Sequence, residues 1–144
     1  MNDLALKPNP TIPATVDAYM EATKAVESAL KALPQVELET THSLHAGIYS
    51  RTVRVPEGVM LTGALIKIPT VLTIVGSLTL TIGDHVEDVE GFRLFECAPG
   101  RKQVMLARSE SYVTMAFATD AKTVEEAEEQ FTDEFENLMS RRKK

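Results

Sequence analysis

From Val36 to Thr119 the chain has the hydrophobic period of short β-strands, broken at intervals by proline and glycine, and this constrains its fold more than any other feature. In Tyr49-Ser50-Arg51-Thr52-Val53-Arg54-Val55, one face carries Tyr49, Arg51, Val53 and Val55, and the other Ser50, Thr52 and Arg54. Pro56-Glu57-Gly58 then marks a turn. Met60 to Ile68 and Val71 to Val75 read as further strands, apolar and β-branched as a wall covered on both sides would be. Gly76 separates them from a strand in which Leu78, Leu80 and Ile82 alternate with Thr79 and Thr81. Gly83-Asp84, Gly91 and Ala98-Pro99-Gly100 predict three more turns, and Tyr112 to Ala118 the last strand. Such a series predicts an antiparallel sandwich or barrel.

The flanks have other periods. Pro8, Pro10 and Pro13 make residues 1–13 an extended arm. From Thr15 to Leu33 the apolar residues Val16, Tyr19, Met20, Val26, Ala29, Leu30 and Leu33 recur at helical spacing, and Pro34 ends that helix. Arm and helix together either pad an open end of the barrel or reach a neighbouring subunit. At the other end, Thr123 and Glu126 fit a capping box. A helical stripe of Val124, Ala127, Phe131, Phe135 and Leu138 follows. The opposite face carries Glu125, Glu128, Glu129, Asp133, Glu134 and Glu136 and reads as solvated; Arg141-Arg142-Lys143-Lys144 reads as a basic tail suited to the helix dipole. The expected organisation is an arm and helix over 1–35, a barrel over 36–119, and an acidic helix with a basic tail over 120–144.

With 144 residues, the chain is most simply one domain able to bury roughly 70% of its unfolded surface. No run is long and apolar enough for a membrane span, and the start at Met1-Asn2-Asp3 is unlike a signal peptide. The only cysteine, Cys97, excludes an internal disulfide, fits a reducing compartment, and reads as an inert core thiol. A net charge of −6 argues against non-specific nucleic-acid binding. His42 and His45 are three apart, so on a strand they point to opposite faces and do not chelate one ion. His85 follows a turn and is expected to be exposed. No Ser–His–acid arrangement, phosphate loop or zinc-finger spacing is present, and Pro99-Gly100-Arg101 is a turn with a cation, short of a phosphate motif.

Arg51 is the single residue with the sharpest physical demand. Alternation places it on the apolar face with Tyr49, Val53 and Val55, and a buried guanidinium requires a partner. It is either part of an internal ion pair, a strand-end arginine reaching water, or the contact for an anion in a pocket.

His42, the segment HAGIYSRTVRVPEGVMLTG (45–63), APGRK (98–102) and the strand ending FAT (117–119) resemble the small cupin-like proteins encoded by tailed phages and prophages. The resemblance covers about 36–119 together with a similar acidic tail helix. It implies a mostly β, cupin-like double-stranded β-helix barrel with an N-terminal arm and helix and a C-terminal helix. In that family metal-binding histidines and an acid stand where this chain has Ile66, Pro69 with Thr70, and Phe117. None of Ile66, Pro69 and Phe117 can ligate a metal through its side chain, and threonine alone is a poor ligand.

The resemblance and these replacements together imply a protein without a cofactor or stoichiometric metal. The first expectation is a non-enzymatic interaction protein of a tailed phage, a virion component or an accessory factor acting on host machinery. It would be found in the virion or the host cytoplasm, with a phage or host protein as partner. The alternative is a cupin module that binds a small anionic ligand through Tyr49, Arg51 and Lys67. A metal-dependent isomerase or oxygenase is the third class. Cupin-like barrels commonly pair, and the arm and the helical stripe both need a surface, so a homo-oligomer, most simply a dimer, is expected.

Overall fold

The computed structural model describes residues 10–141. Most of the expected arm (1–9) and the last three residues of the basic tail lie outside the described residues. The strands are β1 Thr11–Ile12, β2 Thr40–His45, β3 Ile48–Val55, β4 Met60–Thr62, β5 Thr70–Ile82, β6 His85–Cys97, β7 Val104–Ala107 and β8 Ser111–Ala118, and the α-helices are α1 Asp17–Lys31 and α2 Val124–Phe131. The strands hydrogen-bond in the order β1-β6-β5-β8-β3-β2, with β7 paired to both β5 and β4. All pairings are antiparallel except that of β1 with β6.

The end of the arm belongs to the chain's own barrel. Thr11 and Ile12 pair with Glu96 and Cys97, Ile12 is fully buried, and Thr15 N–H donates to the Gly100 carbonyl at 3.0 Å. Helix α1 starts and stops within two residues of the predicted bounds, before Pro34. Its apolar stripe is only partly covered: Val16 and Leu33 are exposed, Tyr19, Met20, Val26 and Leu30 half-buried, and Thr23 is its buried residue.

The largest departure from expectation is at Gly76 and Gly91. The strands expected on either side of Gly76 are one strand, β5, paired along its whole length with β6, and Gly91 lies inside β6 opposite Gly76 rather than in a turn. Gly76 serves close approach rather than chain reversal. Its φ is +133°, and a Cβ there would lie 2.3 Å from Ser111 Oγ and 2.8 Å from Ser111 Cα. At this corner one side of β5 changes neighbour, from β8 along Val71–Val75 to β7 along Leu78–Leu80. Ser111 Oγ accepts the Ser77 amide at 3.0 Å, so the corner keeps its backbone satisfied. The exchange folds one sheet into two layers that share β5 and β6.

The strand expected over Met60 to Ile68 is shorter. It ends at Thr62, and Ile66 makes only an isolated bridge to Arg101. The amides of Leu65 and Lys67, which a ladder would use, donate instead to Glu134 Oε1 at 3.3 Å and the Phe131 carbonyl at 2.9 Å. The C-terminal helix is shorter too. Thr123 Oγ1 accepts the Glu126 amide at 3.1 Å as the capping box requires, but α2 stops at Phe131. Buried Thr132 is extended (φ −153°) and its Oγ1 accepts the Glu134 amide at 3.0 Å, a local bond that competes with helix. Two 3-10 turns, Phe135–Asn137 and Met139–Arg141, complete the described chain. Phe135 therefore leaves the stripe, while Val124, Ala127, Phe131 and Leu138 still pack on the core.

Tyr49, Phe117 and Phe131 form the aromatic centre of that core, with ring centroids 5.4–6.3 Å apart. Their contacts pin α2 to the β3–β8 layer.

Candidate functional site

A cavity of about 780 Å³ lies between the two layers and opens to solvent beside Leu33 and Val36. Leu72, Val113 and Met115 line it from one layer and Leu61 and Met105 from the other, and Leu138 and Met139 lie over it from the C-terminal segment. Aliphatic and thioether side chains form most of this wall because inward positions of β4, β5, β7 and β8 alternate with outward ones.

Arg51 is inward, as alternation predicts, and it is not free. Its Nη1 lies 3.1 Å from Glu128 Oε2, and the two side chains are 10% and 1% exposed. Glu128 thus departs from the solvated face expected for it: residue 128 turns toward β3, not toward water. Its carboxylate also accepts Ser140 Oγ–H and, at 2.7 Å, Arg141 Nε–H. Burial works to raise the Glu128 pKa, but Ser140, Arg141 and Arg51 together hold it below the usual carboxylate range. Arg141, expected in a solvated tail, closes this network and also reaches Glu129 at 3.4 Å. Tyr49 is fully buried, and its hydroxyl is 2.7 Å from His42 Nδ1; burial raises the tyrosine pKa. His42 faces inward and His45 outward, so the pair does not converge. His85 is exposed between Asp84 and Glu87.

Lys67 does not join Tyr49 and Arg51. Its side chain is 42% exposed and its ammonium pairs with Asp133 at 2.6 Å, away from the cavity.

The residue that sequence reasoning missed is Arg101. It is 4% exposed and lines the cavity. Its Nη2 donates to Thr70 Oγ1 at 2.6 Å and its Nη1 to Gln103 Oε1 at 3.3 Å, while its Nε, also buried, has no hydrogen-bond partner among the described residues. Both partners are neutral, and among the described residues no carboxylate lies within ion-pair distance. Burial lowers its pKa, and a guanidinium still does not give up its proton. Gln103 is held in turn by donating to the Thr81 carbonyl at 2.8 Å. A signal was present: Arg101, Gln103, Met105 and Ala107 alternate in sequence and all four are buried, although only Met105 and Ala107 lie in β7. Cys97, beside this group, is buried with its Sγ 3.8 Å from the Phe95 carbonyl, and burial raises the thiol pKa, so it stays protonated and supplies no counter-charge.

The wall does not suit a divalent cation. Ile66 faces the cavity as a hydrocarbon, Thr70 is bonded to Arg101, and Phe117 is packed on Tyr49. The guanidinium groups of Arg51 and Arg101 carry the wrong sign, and among the described residues no three His, Cys, Asp or Glu side chains are grouped to hold a metal.

No protein-family model matches the chain, and no curated protein matches it in sequence. Solved structures do match in fold. KdgF from Halomonas sp. aligns over 60% of this chain and 84% of its own, at 11% identity and a TM-score of 0.50. A cupin superfamily protein from Desulfitobacterium hafniense aligns over 62% and 86%, at 9% identity and 0.48. The Cnp3 cupin domain of Schizosaccharomyces pombe aligns over 63% and 72%, at 14% identity and 0.47. The chain has the mostly β cupin fold, with a helix on either side of the barrel in sequence.

Proposed function

We propose that this chain is a non-enzymatic cupin-fold binding protein whose barrel holds a small molecule with a largely apolar body. The observation that carries the reading is the cavity of about 780 Å³ walled by Leu72, Val113, Leu61, Met105 and Met115. That volume is in the ordinary range for small-molecule sites, roughly 300–1,000 Å³. The hydrocarbon at Ile66 and the two inward arginines support a barrel that works without a metal, in keeping with the replaced family positions. Isothermal calorimetry with uncharged decanamide as the probe tests the reading: saturable, one-to-one binding is expected. A protein that neither takes up the probe nor carries a small molecule in native mass spectra would refute it.

A second reading, an interaction protein of a tailed phage, draws on the outer face of the β6-β5-β8 sheet. Phe92, Val75 and Tyr112 stand side by side there, 67%, 46% and 42% exposed. The neighbouring row, Leu94, Thr73, Thr114, Thr52 and Thr41, is uncharged. This face and the half-covered stripe of α1 suit a second copy of the chain, giving a dimer, or a phage or host protein. The tailed-phage origin, and with it a place in the virion or the host cytoplasm, rests on the motif resemblance. Mass spectrometry of purified virions tests it, with peptides of this chain in stoichiometric amount expected for a virion component.

A further inference from the structure

Arg101 is a full positive charge, 4% exposed, and among the described residues no carboxylate lies within ion-pair distance of it. That arrangement is costly for an empty barrel, since a guanidinium cannot escape the cost by losing its proton. The other buried cations of this molecule are treated differently. Lys102, 1% exposed, is held by both Glu27 at 3.0 Å and Glu134 at 2.8 Å, and Arg51 is held by Glu128. Against that pattern Arg101 stands out, with neutral Thr70 and Gln103 at 2.6 and 3.3 Å and an orphaned Nε.

We infer that Arg101 is the anchor for the anionic head of the cavity's ligand, and that the ligand class is an amphipathic monocarboxylate. The inference rests on the small-molecule reading of the cavity and assigns its polar end. Thr70 and Gln103 use two of the five N–H donors of the guanidinium and fix its plane. Each terminal nitrogen keeps a second hydrogen, and a carboxylate takes such a pair side by side. Ile66 and Leu72 also line the cavity, so the body that follows the head group meets hydrocarbon. A bulkier dianion such as an alkyl phosphate would leave one negative charge without a partner, because Arg51 is already matched to Glu128.

The test compares decanoate, decanamide and decyl phosphate by calorimetry on the full chain at neutral pH. Decanoate is expected to bind at least tenfold more tightly than decanamide, and more tightly than decyl phosphate. In Arg101→Met the preference for decanoate over decanamide should vanish. Arg101→Met without ligand should melt no lower than the parent, since it removes a buried charge that lacks a partner. A structural arginine would instead show a clear drop in melting temperature.

Equal binding of decanoate and decanamide to the unaltered protein overturns the inference and leaves the cavity reading intact. So does a preference that survives in Arg101→Met. Stronger binding of decyl phosphate, or of acetate alone, overturns the ligand class. If neither decanoate nor decanamide binds, the cavity reading falls and the inference falls with it. The comparison on the unaltered protein decides even if the variant does not fold.

Discussion

At the scale of single residues, charge is this molecule's main expense and its clearest source of tests. Glu128 has three partners, so the two ends of the Arg51–Glu128 pair are not equivalent. Removing the acid strands Arg51, and Glu128→Ala is expected to cost about 3–5 kcal/mol in urea unfolding. Arg51→Ala leaves the carboxylate with Ser140 and Arg141 and should cost less, about 1–3 kcal/mol. An equal loss for both variants would contradict this asymmetry. His42 gives a pH test. Burial, then the nearby Arg51 charge, push its pKa below 6.5, so the unfolded chain holds the extra proton as pH falls. Its contribution to stability is present above about 6.5 and is lost as pH drops toward the folded value. Glu128 runs the same way at lower pH, present above 4.5 and lost as pH falls through its depressed pKa. Exposed His85 runs oppositely, because Glu87 and Asp84 raise its pKa, and its contribution is lost as pH rises. Replacing His42 with Gln should therefore flatten the decline in urea midpoint between about pH 7 and 5. A variant profile parallel to the parent's would assign that decline to another group.

At the scale of elements, Gly76 predicts the sharpest local effect. Gly76→Ala meets Ser111 at 2.3 Å in addition to a φ of +133°, and should cost about 3 kcal/mol or more. Gly91→Ala, its cross-strand neighbour with φ +76° and nothing within 4 Å of the new methyl, should cost only about 1 kcal/mol. Chemical unfolding of the two variants side by side measures the difference. These positions also mark where sequence reading stops. Alternation in 49–55 placed Tyr49 and Arg51 inward, and helical spacing located α1, because each signal is carried by neighbours within one element. A glycine is ambiguous: as a breaker and as a point of close approach it looks the same until Ser111, from a strand far along the chain, is beside it. The site divides in the same way. Arg51 was legible from its strand, whereas Arg101 followed a turn, and its isolation depends on which acids the fold brings near. Lys67 was named as a contact from the motif resemblance, which carries no information on side-chain direction; its ammonium pairs with Asp133 instead of lining the cavity.

At the scale of the whole molecule, the sheet face bearing Phe92, Val75 and Tyr112 is the surface proposed for assembly, and it lies outside the core. If two copies meet there, Phe92→Glu should shift light scattering from dimer to monomer at micromolar concentration. The unfolding free energy per chain should change by no more than about 0.5 kcal/mol once association is discounted. A dimer unaffected by Phe92→Glu would move the interface elsewhere. The parallel pairing of β1 with β6 has a consequence of its own, in the order of events during synthesis. Thr15 bonds to Lys102, 87 residues later, and Thr11 and Ile12 need Glu96 and Cys97. As the chain leaves the ribosome, Thr11 and Ile12 have nothing to pair with until Glu96 and Cys97 have emerged. Closing so long a loop is slow, and the half-apolar stripe of α1 stays open to solvent meanwhile. Residues 11–15 are made well before their partners and are among the last of the barrel to find their place.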